Sequence, residues 1–564
     1  MKSLRFACFF AGIMILLVAA QPNSVAHANH PNALAHTQKL PAAVGAHSVT
    51  AVQAPPVRFA KPVTYGSGAP SASSIFVADV NRDGKPDLLV ANQCPVSGQC
   101  NGSSSSEATV GVLLGNGDGT FRTAVTYGSG GLFSYSIAVA DVNGDGEPDL
   151  LVTNQCSTFP CSGDSTVGVL LGNGDGTFQT AATYDSGGFA AVSVAVGDVN
   201  GDGKPDLIVA NECVSSSNCA NGGGVSVLLG NGDGTFQTAL TYELRGIADS
   251  VAVADVNGDG KLDLLVANYC LPPISCGNDT SGTVAVLLGN GDGTFQSATN
   301  YSLGGYGQFS VTVADVNRDG KLDMLITSQC IHTKCGGYGT VGVLLGNGDG
   351  TFQRAVNYGS GGHSAFSVAV ADVNGDGKFD LLVTSECNIG KGCPHGVVGV
   401  LLGNGDGTFQ TAVTYDSGGS IAWSLAVGDF NGDGKPDVAV ADDWANVDNE
   451  NGTVGVLLND FTATTAIKIT SSPNPARLNQ AVTFTVTITS NPNVPKRRDC
   501  NVLRWQNEPR TRCDGQWGSQ LDDIFLQSQD PHHQSQVSRR CFSQSQLGNG
   551  GSGGESLNQC TGPL

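Results

Sequence analysis

The chain has 564 residues, of which 78 are Gly and only 14% are charged. So much Gly with so little charge favours many short strands joined by tight turns and excludes a helical bundle. Acidic residues outnumber basic ones by 49 to 28, a net charge of −21; this excludes nucleic acid as a partner, since phosphate binding needs dense Lys/Arg surfaces, and argues equally against an anionic membrane surface.

Lys2 and Arg5 precede an apolar stretch from Phe6 to Ala20, and Ala26-His27-Ala28 supplies small residues at the spacing a signal peptidase reads. Residues 1–28 therefore read as a secretory signal peptide, too short to span a bilayer as a helix. No other stretch is long and apolar enough to cross a membrane, so stable membrane insertion is not expected. The expected location is secreted, extracellular or cell-surface. Residues 29–56 carry four Pro and no acidic residue, the composition of a disordered spacer.

From residue 57 an internal repeat dominates. The segment Ser136-Ile-Ala-Val-Ala-Asp141-Val-Asn143-Gly-Asp145-Gly-Glu-Pro-Asp149 recurs with its first aspartate at Asp79, Asp141, Asp198, Asp255, Asp315, Asp372 and Asp429, at steps of 57 to 62 residues. A second block, Thr-Val-Gly-Val-Leu-Leu-Gly-Asn-Gly-Asp-Gly-Thr-Phe, alternates with it. Each unit reads as four strands, in the third unit Ser193–Gly197, Leu207–Ala210, Val225–Leu229 and Gln237–Tyr242, because Val/Ala alternation between Gly-rich turns is strand patterning. Four antiparallel strands repeated seven times predict an all-β, seven-bladed β-propeller over residues 57–460. The seventh unit stops after its third strand, and Arg58 to Tyr65 matches a fourth strand. The N-terminal strand should therefore close the ring, leaving no open edge.

Each unit carries Asp-x-Asn-x-Asp-Gly-x-x-Asp after its first strand. Oxygens at positions 1, 3, 5 and 9, with the backbone carbonyl of position 7, form the donor set that a hard cation such as Ca²⁺ prefers. The seven sets are Asp79, Asn81, Asp83, Lys85 and Asp87; Asp141, Asn143, Asp145, Glu147 and Asp149; Asp198, Asn200, Asp202, Lys204 and Asp206; Asp255, Asn257, Asp259, Lys261 and Asp263; Asp315, Asn317, Asp319, Lys321 and Asp323; Asp372, Asn374, Asp376, Lys378 and Asp380; and Asp429, Asn431, Asp433, Lys435 and Asp437. An EF-hand would need Glu at position 12, where this chain has Val or Ile. The alternative is an Asx-rich turn without metal. Against it, half of the 42 acidic residues in 57–460 crowd these loops, and without cations they would repel one another. About seven structural Ca²⁺ sites are expected. The Asn-Gly-Asp-Gly turns, such as Asn116 to Gly119, read as hairpin turns.

These motifs resemble the FG-GAP/VCBS repeats of bacterial secreted proteins and, more distantly, the propeller of integrin alpha subunits. The resemblance implies a calcium-loaded propeller with a role in cell adhesion or extracellular recognition, and names no ligand.

Six units hold a Cys pair between strands two and three: Cys94/Cys100, Cys156/Cys161, Cys213/Cys219, Cys270/Cys276, Cys330/Cys335 and Cys387/Cys393. In an exported protein such pairs read as local disulfides. Only His332, His363 and His395 fall within the propeller, and no Gly-x-Ser-x-Gly elbow, His-Glu-x-x-His or phosphate loop occurs. The expectation is a non-enzymatic, monomeric recognition propeller; the alternative is a glycan-active enzyme or its scaffold module. Turns alternate between the two ends of a propeller, so the metal loops and the Asn-Gly-Asp-Gly turns share one end. The Cys-clipped loops share the other, which varies from blade to blade. Tyr135, Tyr306, Trp423 and Trp444 stand at that end as candidate contacts for an extracellular protein or glycan.

Beyond the ring, residues 461–494 look like the first two strands of a bacterial Ig-like domain. Residues 495–564 are rich in Cys, Gln and Ser, and lose strand alternation. They read as an irregular tail or as the product of a shifted reading frame.

Overall fold

The computed structural model describes residues 57–460, except 95–106, 159–160, 162–163, 215–221, 270–281, 304, 331–337, 389–394 and 444–450, together with four short strands further on. The expected signal peptide and spacer lie outside the described residues.

Residues 57–460 build seven four-stranded antiparallel sheets, with no helix among the described residues. In six blades the sheet order follows the chain, and the first strands of consecutive blades touch around a closed circuit. The first strands are therefore innermost and the fourth outermost. In the seventh blade, Val63–Pro70 pairs antiparallel with Asn451–Leu457 as the outer strand, and Phe59 bridges Asn459. The N-terminal strand closes the ring as the sequence predicts.

The strand bounds differ from expectation at both sheet edges. In the third blade the first strand is Phe189–Gly197, four residues longer at its start, and the fourth is Leu240–Glu243. Phe236 makes only an isolated bridge to Gly230. The extension escapes sequence patterning because each first strand carries an irregularity: the register shifts between Ala191 and Ser193, and at the matching place in all seven blades. An extra residue there breaks the period-two alternation that marks a strand.

The second strands are buried on both faces, as in Asp206–Cys213, where only Glu212 keeps partial exposure. No blade can cover such a strand alone. Accordingly each of the seven apolar clusters spans two consecutive blades, Leu89 and Val112 of the first packing with Val139 and Leu150 of the second. Seven edge-on aromatic pairs fasten the outer strands, from Tyr127 on Phe178 at 5.5 Å to Tyr415 on Phe59 at 5.2 Å. Glycine is required where the link between two blades crosses a third strand. A Cβ on Gly168 would stand 1.9 Å from the Ser129 carbonyl oxygen.

Residues 462–564 form a second unit. There Ala466–Ser472 pairs antiparallel with Thr483–Thr489, and two-residue strands follow at Asn501–Val502 and Leu526–Gln527. The remainder of the expected Ig-like segment and of the tail lies outside the described residues.

Candidate functional site

The metal-type loops share one end of the ring with the Asn-Gly-Asp-Gly turns, as predicted. The Gly176 amide donates to the Val80 carbonyl of the preceding blade's loop at 3.2 Å, Gly234 to Val142 at 3.0 Å, and Gly119 to Phe430 across the closure.

In the third blade Asp198 Oδ1 accepts from the amides of Gly201 and Asp202, and its Oδ2 accepts from Gly203 at 2.8 Å. Asn200 Oδ1 accepts from Asp202, and Asp202 Oδ1 from Lys204. The glycine at position 6 has φ of 79° to 85° in all seven loops, a conformation that only Gly adopts freely. The Lys204 ammonium lies 3.9 Å from Asp202, and Lys435 lies 3.0 Å from Asp433. In the second blade, where Glu147 replaces lysine, Arg82 of the first blade pairs with it at 2.7 Å.

Position 9 behaves differently. Asp206 is fully buried; its Oδ2 accepts from the Val199 amide at 3.0 Å and its Oδ1 from the Gly230 amide at 2.8 Å. Both acceptors recur in every blade, from Asp87 with Val80 and Gly115 to Asp437 with Phe430 and Asn459. This carboxylate ties the loop to the end of the third strand, a structural task that sequence reasoning missed. Burial pushes the Asp206 carboxyl up to about 6, and the charges of Asp198 and Asp202 add to the rise. Asp380 is pushed up to about 7 in the same way.

Among the described residues no three His, Cys, Asp or Glu side chains gather closely enough to hold a metal as they stand; the oxygens are turned onto the loop's own amides. The donor chemistry nevertheless fits a hard cation. Every side chain offered at positions 1, 3, 5 and 9 is an oxygen acceptor, and the charges of Asp198 and Asp202 act on Asp206.

At the opposite end Cys156 and Cys161 are bonded, with Cα atoms 5.3 Å apart. Cys94, Cys213, Cys330 and Cys387 are disulfide-bonded too. Cys100, Cys219, Cys270, Cys276, Cys335 and Cys393 lie outside the described residues, as does Trp444. Tyr306 pairs in register with Cys330.

Tyr135 and Trp423 turn out to occupy equivalent places, the extra residue in the first-strand bulge. The same place holds Asp249, Phe309 and Phe366, with Ser73 in the first blade and Val192 in the third. Beside it, immediately before each clip cysteine or its Trp444 equivalent, stand Gln93, Gln155, Glu212, Tyr269, Gln329, Glu386 and Asp443. Comparing repeats at fixed offsets would have exposed both sets, since they change type from blade to blade between nearly unchanging neighbours.

The profile of the FG-GAP-like repeat family matches residues 100–152, 158–209, 213–266, 274–326, 334–383 and 392–440, more than half of the chain. The FG-GAP repeat profile matches residues 248–287. No curated protein matches the chain. Among solved structures it is similar to the V. cholerae biofilm matrix protein Bap1, with 14% identity, a TM-score of 0.39, and coverage of 72% of this chain and 91% of that one. It is also similar to BBS1N, solved in complex with ARL6DN, with 11% identity, a TM-score of 0.41, and coverage of 72% of this chain and 98% of that one. With its six repeats matched and its seven blades closed into a ring, the chain belongs to the FG-GAP-like repeat family.

Proposed function

We propose that the chain is an exported, calcium-loaded propeller that recognises an extracellular protein or glycan through its disulfide-clipped end and carries out no catalysis. The observation that supports calcium most directly is the buried position-9 carboxylate. In each blade it sits among further carboxylates, with its acidity weakened by burial and by their charge. A divalent cation held by positions 1, 3, 5 and 9 and the position-7 carbonyl would remove that repulsion. Magnesium suits such a cage poorly, because it keeps its water and demands octahedral geometry. The bonded cysteines support export, since disulfides persist in oxidising compartments.

The test is thermal melting of the full chain in chelator, in Ca²⁺ and in Mg²⁺. A ligand at 100 times its dissociation constant adds about 2.7 kcal/mol per site. Seven sites should therefore raise the Tm by more than roughly 10 °C in Ca²⁺, and by less in Mg²⁺. Superimposable curves in Ca²⁺ and chelator would sink the calcium reading.

A further inference from the structure

The innermost residues at the clipped end close a circuit around the ring axis. Tyr269 packs on Phe309 at 5.7 Å, Phe309 on Phe366 at 5.0 Å, and Phe366 on Trp423 at 4.3 Å. The Trp423 indole donates to Asp443, which also accepts from the Ser71 hydroxyl. Asp443, Glu212 and Asp249 all act on the Tyr135 hydroxyl, and Asp249 acts in turn on Tyr269. One arc of the circuit is thus aromatic and the other acidic. No Lys, Arg or His occupies any of the fourteen bulge and pre-cysteine positions.

Asp443 is held in place by its hydrogen bonds, but Asp249 is not. The Asp249 carboxylate has no hydrogen-bond partner among the described residues. The residue keeps partial solvent access. Burial pushes its carboxyl well above the usual range and the Glu212 charge adds to this; burial raises Glu212 as well. Buried charges are ordinarily paired, and among the described residues this side of the circuit has no positive partner. The bulges explain how such side chains come to face the axis, because an extra residue re-aims a side chain that regular pleating would bury.

We propose that this circuit binds a primary alkylammonium group. The Asp249 and Glu212 carboxylates would accept its N–H donors, and the wall from Tyr269 to Trp423 would cover its alkyl chain. An ammonium offers three donors to oxygens, and aromatic faces attract organic cations. A hard metal ion would instead need six or more oxygens, which the aromatic arc does not offer. The group arrives either on a lysine side chain of a partner or as a free amine. The proposal rests on the clipped end being the recognition surface, and not on calcium.

The experiment titrates the full chain, in Ca²⁺ and again in chelator below its melting transition, with n-butylammonium, with neutral n-butanol, and with a lysine peptide and its acetyl-lysine counterpart. Binding is read by calorimetry and by tryptophan fluorescence. n-Butylammonium or the lysine peptide should bind at least tenfold more tightly than its neutral counterpart. Preference for the peptide identifies a partner's lysine, and preference for the free amine a small molecule. Asp249→Asn should weaken binding at least tenfold at unchanged Tm, and Trp423→Leu severalfold. Glu243→Gln, on an exposed outer strand, controls for charge alone and should leave affinity unchanged. No binding by either cation, equal binding of the neutral probes, or full affinity in a folded Asp249→Asn variant would overturn the proposal. Binding that persists while the calcium melting shift is absent would overturn only the metal reading.

Discussion

The two ends of the ring are made from the same seven repeats and treat their residues in opposite ways. At the loop end, positions 1, 3, 5, 6 and 9 are Asp, Asn, Asp, Gly and Asp in every blade, and the hydrogen bonds repeat with them. At the clipped end, the bulge residue is Ser, Tyr, Val, Asp, Phe, Phe and Trp in turn. A residue that serves the blade must recur with the blade, because each sheet buries its faces only against identical neighbours. A residue facing the axis has no such duty and is free to differ. The contrast separates the scaffold from the proposed recognition surface without reference to any relative.

The largest expected effect breaks the uniform end. Asp206→Ala removes the acceptor of two buried amides, those of Val199 and Gly230. Leaving a buried donor unsatisfied costs about 1–3 kcal/mol, so stability in chelator should fall by roughly 2–6 kcal/mol. Asp198→Ala strips acceptors from exposed loop amides that water can satisfy, and should cost much less in chelator while lowering the calcium-dependent gain. Urea unfolding of both variants, with and without Ca²⁺, checks this. Equal losses in chelator would show that position 9 has no separate structural task.

Much of this was legible in the sequence, for reasons visible in particular residues. Ring closure could be read because Tyr65 recurs in phase with Tyr127, and the blade count because seven aspartates mark it. The loop end was legible because Asp, Asn and Gly at fixed spacing have few other uses. The structural duty of Asp206 was not, since its partners Val199 and Gly230 lie on two sides of the second strand and donate through backbone, which carries no sequence mark. The circuit was half legible. Tyr135 and Trp423 stood out as aromatics in a polar region, whereas Asp249 and Glu212 passed as two acids among many, and the bulge that aligns them with Trp423 interrupts the pattern by which strands are found.

Opening one clip sharpens the comparison from the other side. Joint replacement of Cys156 and Cys161 by Ser frees a short loop, which the chain-entropy treatment values at about 2 kcal/mol. The loss should appear in urea unfolding under oxidising conditions, vanish when wild type and variant are both reduced, and leave the calcium-induced Tm shift unchanged. A changed calcium response would mean that the two ends are coupled.

The smallest expected effect concerns a residue that breaks the pattern inside the scaffold. Asn154 and Asn211 donate through Nδ2 to the carbonyls of Ser129 and Ser186, and accept from the same serines' hydroxyls through Oδ1. In the seventh blade the equivalent residue is Asp442. Its Oδ1 accepts from the Ser417 hydroxyl at 2.6 Å, but its Oδ2 is buried without a partner, where the Asn154 and Asn211 amides donate in their blades. Burial pushes this carboxyl well above its usual range, with Asp416 and Asp443 adding to the rise. The folded state therefore holds its proton more tightly than the unfolded chain, whose carboxyl titrates near 3.9. It follows that the stability tied to this group is fully present below about pH 4 and is lost as pH rises towards the raised folded value. Asp442→Asn should restore the donor, raising stability by about 1–2 kcal/mol at pH 7 and by progressively less towards pH 4. All other carboxylates cancel in the difference between variant and wild type, so urea midpoints at the two pH values isolate this one. A gain independent of pH, or a loss at pH 7, would show that Asp442 is accommodated in its charged form.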